Sequence, residues 1–154
     1  MKIFRFLLKL SSAALALSIG TVLGLYVYAQ FYGPVGPVPG GELKGRFADL
    51  APDWALLLPR GKFIEVQFSD EGPYSVTLDP HVVGGELYTW SRAENSWSRR
   101  IQQNPLAIVR IDGLLYKTTA SKVTDTTLLA EVNKDRTGIA EAIGVSFHLK
   151  LSTH

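Results

Sequence analysis

From Glu42 onward, apolar and polar residues alternate in short runs. Ile64, Val66 and Phe68 alternate with Glu65 and Gln67. Tyr74, Val76 and Leu78 alternate with Ser75, Thr77 and Asp79. Val145, Phe147, Leu149 and Leu151 oppose Ser146, His148 and Lys150. A period of two marks a strand with one face buried. The same reading covers Glu86–Trp90, Leu106–Asp112 and Leu114–Val123, with Asp70-Glu71-Gly72-Pro73, Gly84-Gly85 and Asp112-Gly113 as turns. Two stretches switch to helical spacing. Glu94–Gln103 sets Trp97 and Ile101 four apart before the stop at Asn104-Pro105, and Thr126–Lys134 follows Asp125, a natural N-cap. Six strands with short helical insertions predict a small, mainly β barrel. Its interior is expected to hold Ile64, Val66, Phe68, Val76, Leu78, Val109, Ile111, Phe147 and Leu149.

The pattern before Glu42 is of another kind. No charged residue stands between Lys9 and Glu42, and Lys2, Arg5 and Lys9 all precede that gap. Leu10 to about Tyr32 is long enough for a helix, at ~1.5 Å per residue, to cross a ~30 Å hydrocarbon layer. Basic residues are retained on the cytoplasmic side, so the N-terminus is expected inside and the rest in the periplasm or outside the cell. Val27-Tyr28-Ala29 before Gln30 also has the ending that signal peptidase accepts, which leaves cleavage after Ala29 as the rival. The length of the run and the aromatic cluster Tyr26, Tyr28, Phe31 and Tyr32 favour a retained single-pass anchor. Ser12, Ala16, Gly20 and Gly24 form a stripe of small side chains that would let two such helices approach closely. The expected organisation is an anchor over 1–32, a Pro/Gly spacer over 33–41 and one domain over 42–154. An extended spacer of this length would hold the domain up to ~28 Å from the membrane.

Charge and cysteine content narrow the function classes. Of 16 basic and 14 acidic residues, Lys2, Arg5 and Lys9 belong to the anchor, which leaves 13 against 14. The basic balance is topogenic and is no footprint for nucleic acid. The absence of cysteine excludes disulfides, iron–sulfur clusters and thiol catalysis. His81, His148 and His154 lack metal-ligand spacing, and no GxSxG, Walker or GxGxxG motif is present.

Trp54 precedes Phe63-Ile64-Glu65-Val66-Gln67-Phe68. Pro73-Tyr74-Ser75-Val76 and Gly85-Glu86-Leu87-Tyr88 follow, then a helix with Trp97, Arg100 and Ile101 ending at Asn104-Pro105. Ile108-Val109-Arg110-Ile111-Asp112-Gly113 then leads to Tyr116 and Val123-Thr124-Asp125. This order resembles the flavin-binding split-barrel superfamily, the group of pyridoxamine-phosphate oxidase and the deazaflavin-dependent reductases, and within it a branch of short proteins with an N-terminal membrane segment. The resemblance covers about half the chain and implies a six-stranded split barrel that pairs as a homodimer, with FMN or a deazaflavin in the groove between subunits. It also implies that Thr89, Ser91 and Arg92, after the third strand, hold the cofactor phosphate, with Arg99 and Arg100 nearby. The superfamily's basic residue on the second strand has no counterpart; Ser75, Thr77 and Asp79 stand there.

Arg92, Arg99 and Arg100 surround the Glu94–Gln103 helix, while Lys117 and Lys122 lie on a later strand. With the helix folded over the barrel mouth, these cations would meet an anionic small molecule; a solvated helix face offset by Glu94 is the alternative. Trp90 and Trp97 would either stack on a planar ring or fill the core. Glu65 and Gln67 share the face opposite Ile64 and Val66, lining a groove or meeting solvent. Two functions follow from different classes. One is an exported, membrane-anchored binding or assembly module without cofactor chemistry, and the other is an FMN- or deazaflavin-dependent oxidoreductase. Free flavins are charged cytosolic molecules that an exported barrel would have to acquire outside, which weighs toward the first.

Overall fold

The computed structural model describes residues 2–69, 72–134 and 144–152. Helix α1 (Lys2–Tyr32) is followed by strand β1 (Arg46–Phe47), helix α2 (Trp54–Leu57) and strands β2 (Ile64–Ser69), β3 (Pro73–Leu78), β4 (Pro80–Val83) and β5 (Glu86–Arg92). Helix α3 (Ser96–Gln103), β6 (Leu106–Ile111), β7 (Leu114–Lys122), helix α4 (Thr126–Val132) and β8 (Gly144–Leu151) complete the order. The hydrogen-bonded path is β3-β2-β6-β7-β8-β5-β4, with β1 added in parallel to β7. Its two edges, β3 and β4, are consecutive in sequence with only Asp79 between them. The sheet therefore curls until its edges meet without pairing, which makes it a split barrel.

Eight strands stand among the described residues where six were expected. Pro80–Val83 escaped notice because all four of its residues are half-buried, so no alternation marks it. It pairs with β5 across the two-residue turn Gly84-Gly85. β1 is too short to carry a period. Asp112-Gly113 joins β6 to β7 as a two-residue turn with both residues at positive φ, 50° and 78°, the geometry that favours Asp-Gly in a hairpin.

The expected interior is in place. Ile64, Val66, Phe68, Leu78, Val109, Ile111, Phe147 and Leu149 are buried in one cluster, and Val76 packs half-buried against it. Each end of this core is closed by a tryptophan. Trp54 of α2 meets Tyr116 edge-on at 5.3 Å, and Trp97 of α3 stacks on Phe68 at 5.6 Å. Asp53 caps α2 through the amides of Ala55 and Leu56, while Asp125 caps α4 through Leu128 N at 2.8 Å. A smaller cluster joins α4 to β5 through Tyr88, Val123 and Val132. Burial there, with the Glu86 and Glu131 carboxylates nearby, raises the Tyr88 phenol above its usual range and keeps it neutral.

Lys9–Tyr32 within α1 is long and apolar enough to cross a membrane, and its side chains from Lys9 to Tyr28 are exposed. Residues 33–41 are not an extended spacer. They fold back as a strap over the outer face of β3, β2 and β6. Val35 and Val38 exchange two backbone bonds of 3.0 Å around Gly36-Pro37, and Gly40 exchanges two with Ser75 at 2.8 and 2.9 Å. The three prolines suggested extension; the hairpin forms because Gly36 takes a positive φ of 54° ahead of Pro37.

Candidate functional site

The strap is fastened at its start by the last turn of α1. Ala29 is fully buried, and its carbonyl accepts from Gly33 N at 3.0 Å and Gly41 N at 3.4 Å. Gln30 Nε2 donates to the Pro39 carbonyl at 3.2 Å. A side chain at Gly40 would place its Cβ 2.6 Å from the backbone of Gly33 and Pro34, so only glycine allows this approach. At its far end Leu43 N donates to Gln67 Oε1 at 2.6 Å.

Arg110 is the hub of this joint. Its side chain pairs with Glu65 through Nε and, at 2.9 Å, through Nη2. Nη2 also donates to the Tyr32 carbonyl at 2.9 Å and Nη1 to the Lys44 carbonyl at 3.1 Å. A guanidinium at the C-terminal end of α1 meets both its unpaired carbonyl and the negative end of the helix dipole. Gln67 is thus buried and Glu65 only partly open to solvent, and both fasten the segment that joins α1 to β1. Sequence reasoning passed over Arg110, whose only signal was a cation in the polar phase of a strand, opposite Glu65 once the register is known.

The residues expected to hold a phosphate are split by the structure. Thr89 and Ser91 lie on the same face of β5 as Leu87 and are fully buried. Thr89 Oγ1 donates to the Asp79 carbonyl at 3.3 Å and Ser91 Oγ to the Arg92 carbonyl at 2.7 Å. Both hydroxyls are therefore spent on backbone inside the barrel. Arg92 is exposed where β5 ends, and Ser98 Oγ ties the following turn by contacting the carbonyls of Ala93 and Asn95 at 2.9 and 2.8 Å. α3 turns Trp97 and Ile101 inward, where Phe68 stacks on Trp97 and Phe147 tilts against it at 5.5 Å, so the indole serves chiefly as core and only borders the groove beside α3. Arg99 is exposed, and the Arg100 guanidinium lies 4.6 Å over the Tyr74 ring. The three arginines thus remain on one end of the barrel, without the two hydroxyls.

A groove of about 260 Å³ runs between the strap tip and α3, with Arg100 reaching it through the Tyr74 ring and no arginine among its walls. Pro37, Pro39, Tyr74, Thr77, Asn95 and Ser96 are among its walls. Tyr74 Oη and Ser96 Oγ close one side at 3.3 Å. Asn95 holds the N-cap position of α3 without a side-chain bond to its first turn. The volume falls short of the ~300–1,000 Å³ of a drug-sized pocket, so the groove suits one polar group of a ligand whose remainder lies outside. Tyr74 and the strap wall were not anticipated, because the strap reaches this point only through its nonlocal pairing with Ser75.

No protein-family model matches the chain, and no curated protein matches it. Solved structures do. A pyridoxamine 5′-phosphate oxidase candidate from Listeria innocua is 19% identical over 64% of this chain and 90% of its own, with a TM-score of 0.53. An F420 reductase is 15% identical over 68% and 97%, at 0.52. General Stress Protein 26 from Bacillus anthracis str. Sterne is 14% identical over 64% and 86%, at 0.53. At these identities the likeness concerns the fold, and the chain has the split-barrel fold that these proteins share.

Proposed function

We propose that the chain is an exported, membrane-anchored split-barrel binding module. In this reading α1 is retained and spans the membrane, with Lys2, Arg5 and Lys9 in the cytoplasm, and the barrel lies outside. The groove beside α3 takes an anionic group of a small molecule, drawn by Arg92, Arg99 and Arg100. One observation carries the anchor: the last turn of α1 is part of the barrel, with Ala29 buried and the Tyr32 carbonyl on Arg110. Cleavage after Ala29 would cut through that joint. The protein from a membrane fraction should therefore have an intact mass that includes residues before Ala29, and protease added to spheroplasts should digest the barrel. A mature protein beginning at Gln30 would end the anchor reading, and a barrel protected in intact spheroplasts would reverse the topology.

The FMN- or deazaflavin-dependent oxidoreductase reading rests on the shared fold. It is disfavoured by the engagement of Thr89 and Ser91 with backbone carbonyls. Bound flavin would absorb near ~450 nm in the purified full-length protein, whatever its substrate. We also propose a homodimer, with the Ser12/Ala16/Gly20/Gly24 stripe as a membrane contact beside any barrel contact. Light scattering in detergent should report two chains, and Gly20→Leu with Gly24→Leu should weaken the pair.

A further inference from the structure

The outer surface at the α2 end of the barrel carries large apolar side chains that no described residue covers. Leu50 is 83% exposed and Leu56 78%; Phe47 shares a cavity wall with Leu50, and Phe63 is exposed just before β2. Leu50 and Leu56 rim a cavity of about 330 Å³ with Leu114 on its floor. An exposed apolar cluster of this kind marks a contact surface.

Its position relative to the anchor identifies the occupant. One guanidinium, that of Arg110, binds the carbonyls of both Tyr32 and Lys44. Lys44 therefore sits at the end of α1, where Tyr28 and Tyr32 stack at 4.6 Å like an interfacial aromatic belt. From Lys44, Phe47 is at most about 11 Å and Leu50 at most about 22 Å along the chain. Phe63 stands two residues before Glu65, the Arg110 partner. We infer that the Phe47, Leu50, Leu56 and Phe63 surface lies in the interfacial layer of the same bilayer that α1 crosses. The inference rests on the anchored reading above.

Charge is not the main feature of this surface. Arg46 pairs with Asp49 at 3.7 Å and Lys62 with Asp112 at 2.6 Å, and the Lys117 ammonium lies 5.2 Å over the Phe47 ring. The partner is thus the apolar interfacial layer itself, and anionic lipid should not be required.

The chain has no cysteine, so single-cysteine variants of the full-length protein can be labelled cleanly. Leu50→Cys, Leu56→Cys, Leu17→Cys within α1 and Glu94→Cys at the α3 end are each coupled to an environment-sensitive fluorophore. The variants are placed in phosphatidylcholine nanodiscs carrying doxyl lipid. Labels at positions 50 and 56 should be quenched at least about threefold more than the label at 94, with no change when anionic lipid or salt is added. If position 17 is quenched and positions 50 and 56 match position 94, the docking surface is overturned and the anchor stands. If position 17 is not quenched, the anchor falls and the docking surface with it. Pyrene excimers between Leu50→Cys chains, without lipid quenching, would assign the face to a second copy and also overturn the inference.

Discussion

Both ends of the barrel are stoppered in the same way, and they differ in what they show to the outside. At one end α2 drives Trp54 against Tyr116; at the other α3 drives Trp97 between Phe68 and Phe147. Both indoles belong to one continuous core. Outside Trp54 stand Leu50 and Leu56, and outside Trp97 stand Arg92, Arg99 and Arg100. Closing a barrel needs only the inward half of each plug, so the outward half is open to function. The last turn of α1 touches the segments leading to both ends: Arg110 joins Tyr32 to Lys44 on the apolar side, and Gln30 bonds to Pro39, a wall of the groove that Arg100 approaches through Tyr74. A barrel held between a membrane and an aqueous ligand would be divided along that axis.

The largest effects test whether the plugs are equivalent. Trp54→Ala and Trp97→Ala each remove a buried indole and should cost about 3–5 kcal/mol in denaturant unfolding of the detergent-solubilised protein. Similar losses would leave the contrast between the ends to their outer surfaces alone. A loss below about 0.5 kcal/mol at either site would match an exposed residue and remove that plug from the comparison.

Arg110→Ala is expected to cost about 2 kcal/mol, less than the loss of a fully buried ion-pair partner because Glu65 keeps some contact with solvent. It should also expose the strap to limited proteolysis near Gly36-Pro37. Arg110→Lys should rescue little, since one ammonium cannot serve Glu65 and two carbonyls in the planar fork that the guanidinium supplies. An Arg110→Ala protein with unchanged stability and strap protection would mean that α1 is held to the barrel by packing and by the Ala29 and Gln30 hydrogen bonds, without the guanidinium.

What was legible in the sequence follows the range of the interactions that decide it. Six strands and the interior of Ile64, Val66, Phe68, Val109 and Phe147 were readable because burial imposes alternation on neighbouring residues. α3 and α4 were readable from local spacing and from the Asp125 cap. The strap was not. Glycine and proline speak for an open spacer until Gly40 meets Ser75, 35 positions away in sequence. The candidate phosphate-binding residues are divided for a related reason. Thr89 and Ser91 looked available as polar residues, but Leu87 sets the inward phase of β5 and carries both hydroxyls into the core. Exposed arginines needed no such phase, and Arg92 and Arg99 stayed at the surface.

The smallest expected change in stability lies at the cationic end, where the functional change should be greatest. Arg99→Gln with Arg100→Gln removes one exposed cation and one that lies over Tyr74. A partly exposed cation–π contact is worth about 0.5–1 kcal/mol, so unfolding should shift by no more than that. Binding of inorganic phosphate or pyrophosphate to the full-length protein, read by calorimetry or by chemical shifts of the labelled barrel, should nevertheless weaken at least about tenfold, roughly 1.4 kcal/mol. Leu50→Ser with Leu56→Ser is the matched control, because it alters the opposite end and should leave anion binding unchanged. If both pairs weaken the anion equally, the two ends are not functionally separate. If neither does, Arg99 and Arg100 are a solvated helix face, and the groove beside α3 has no claim on an anionic ligand.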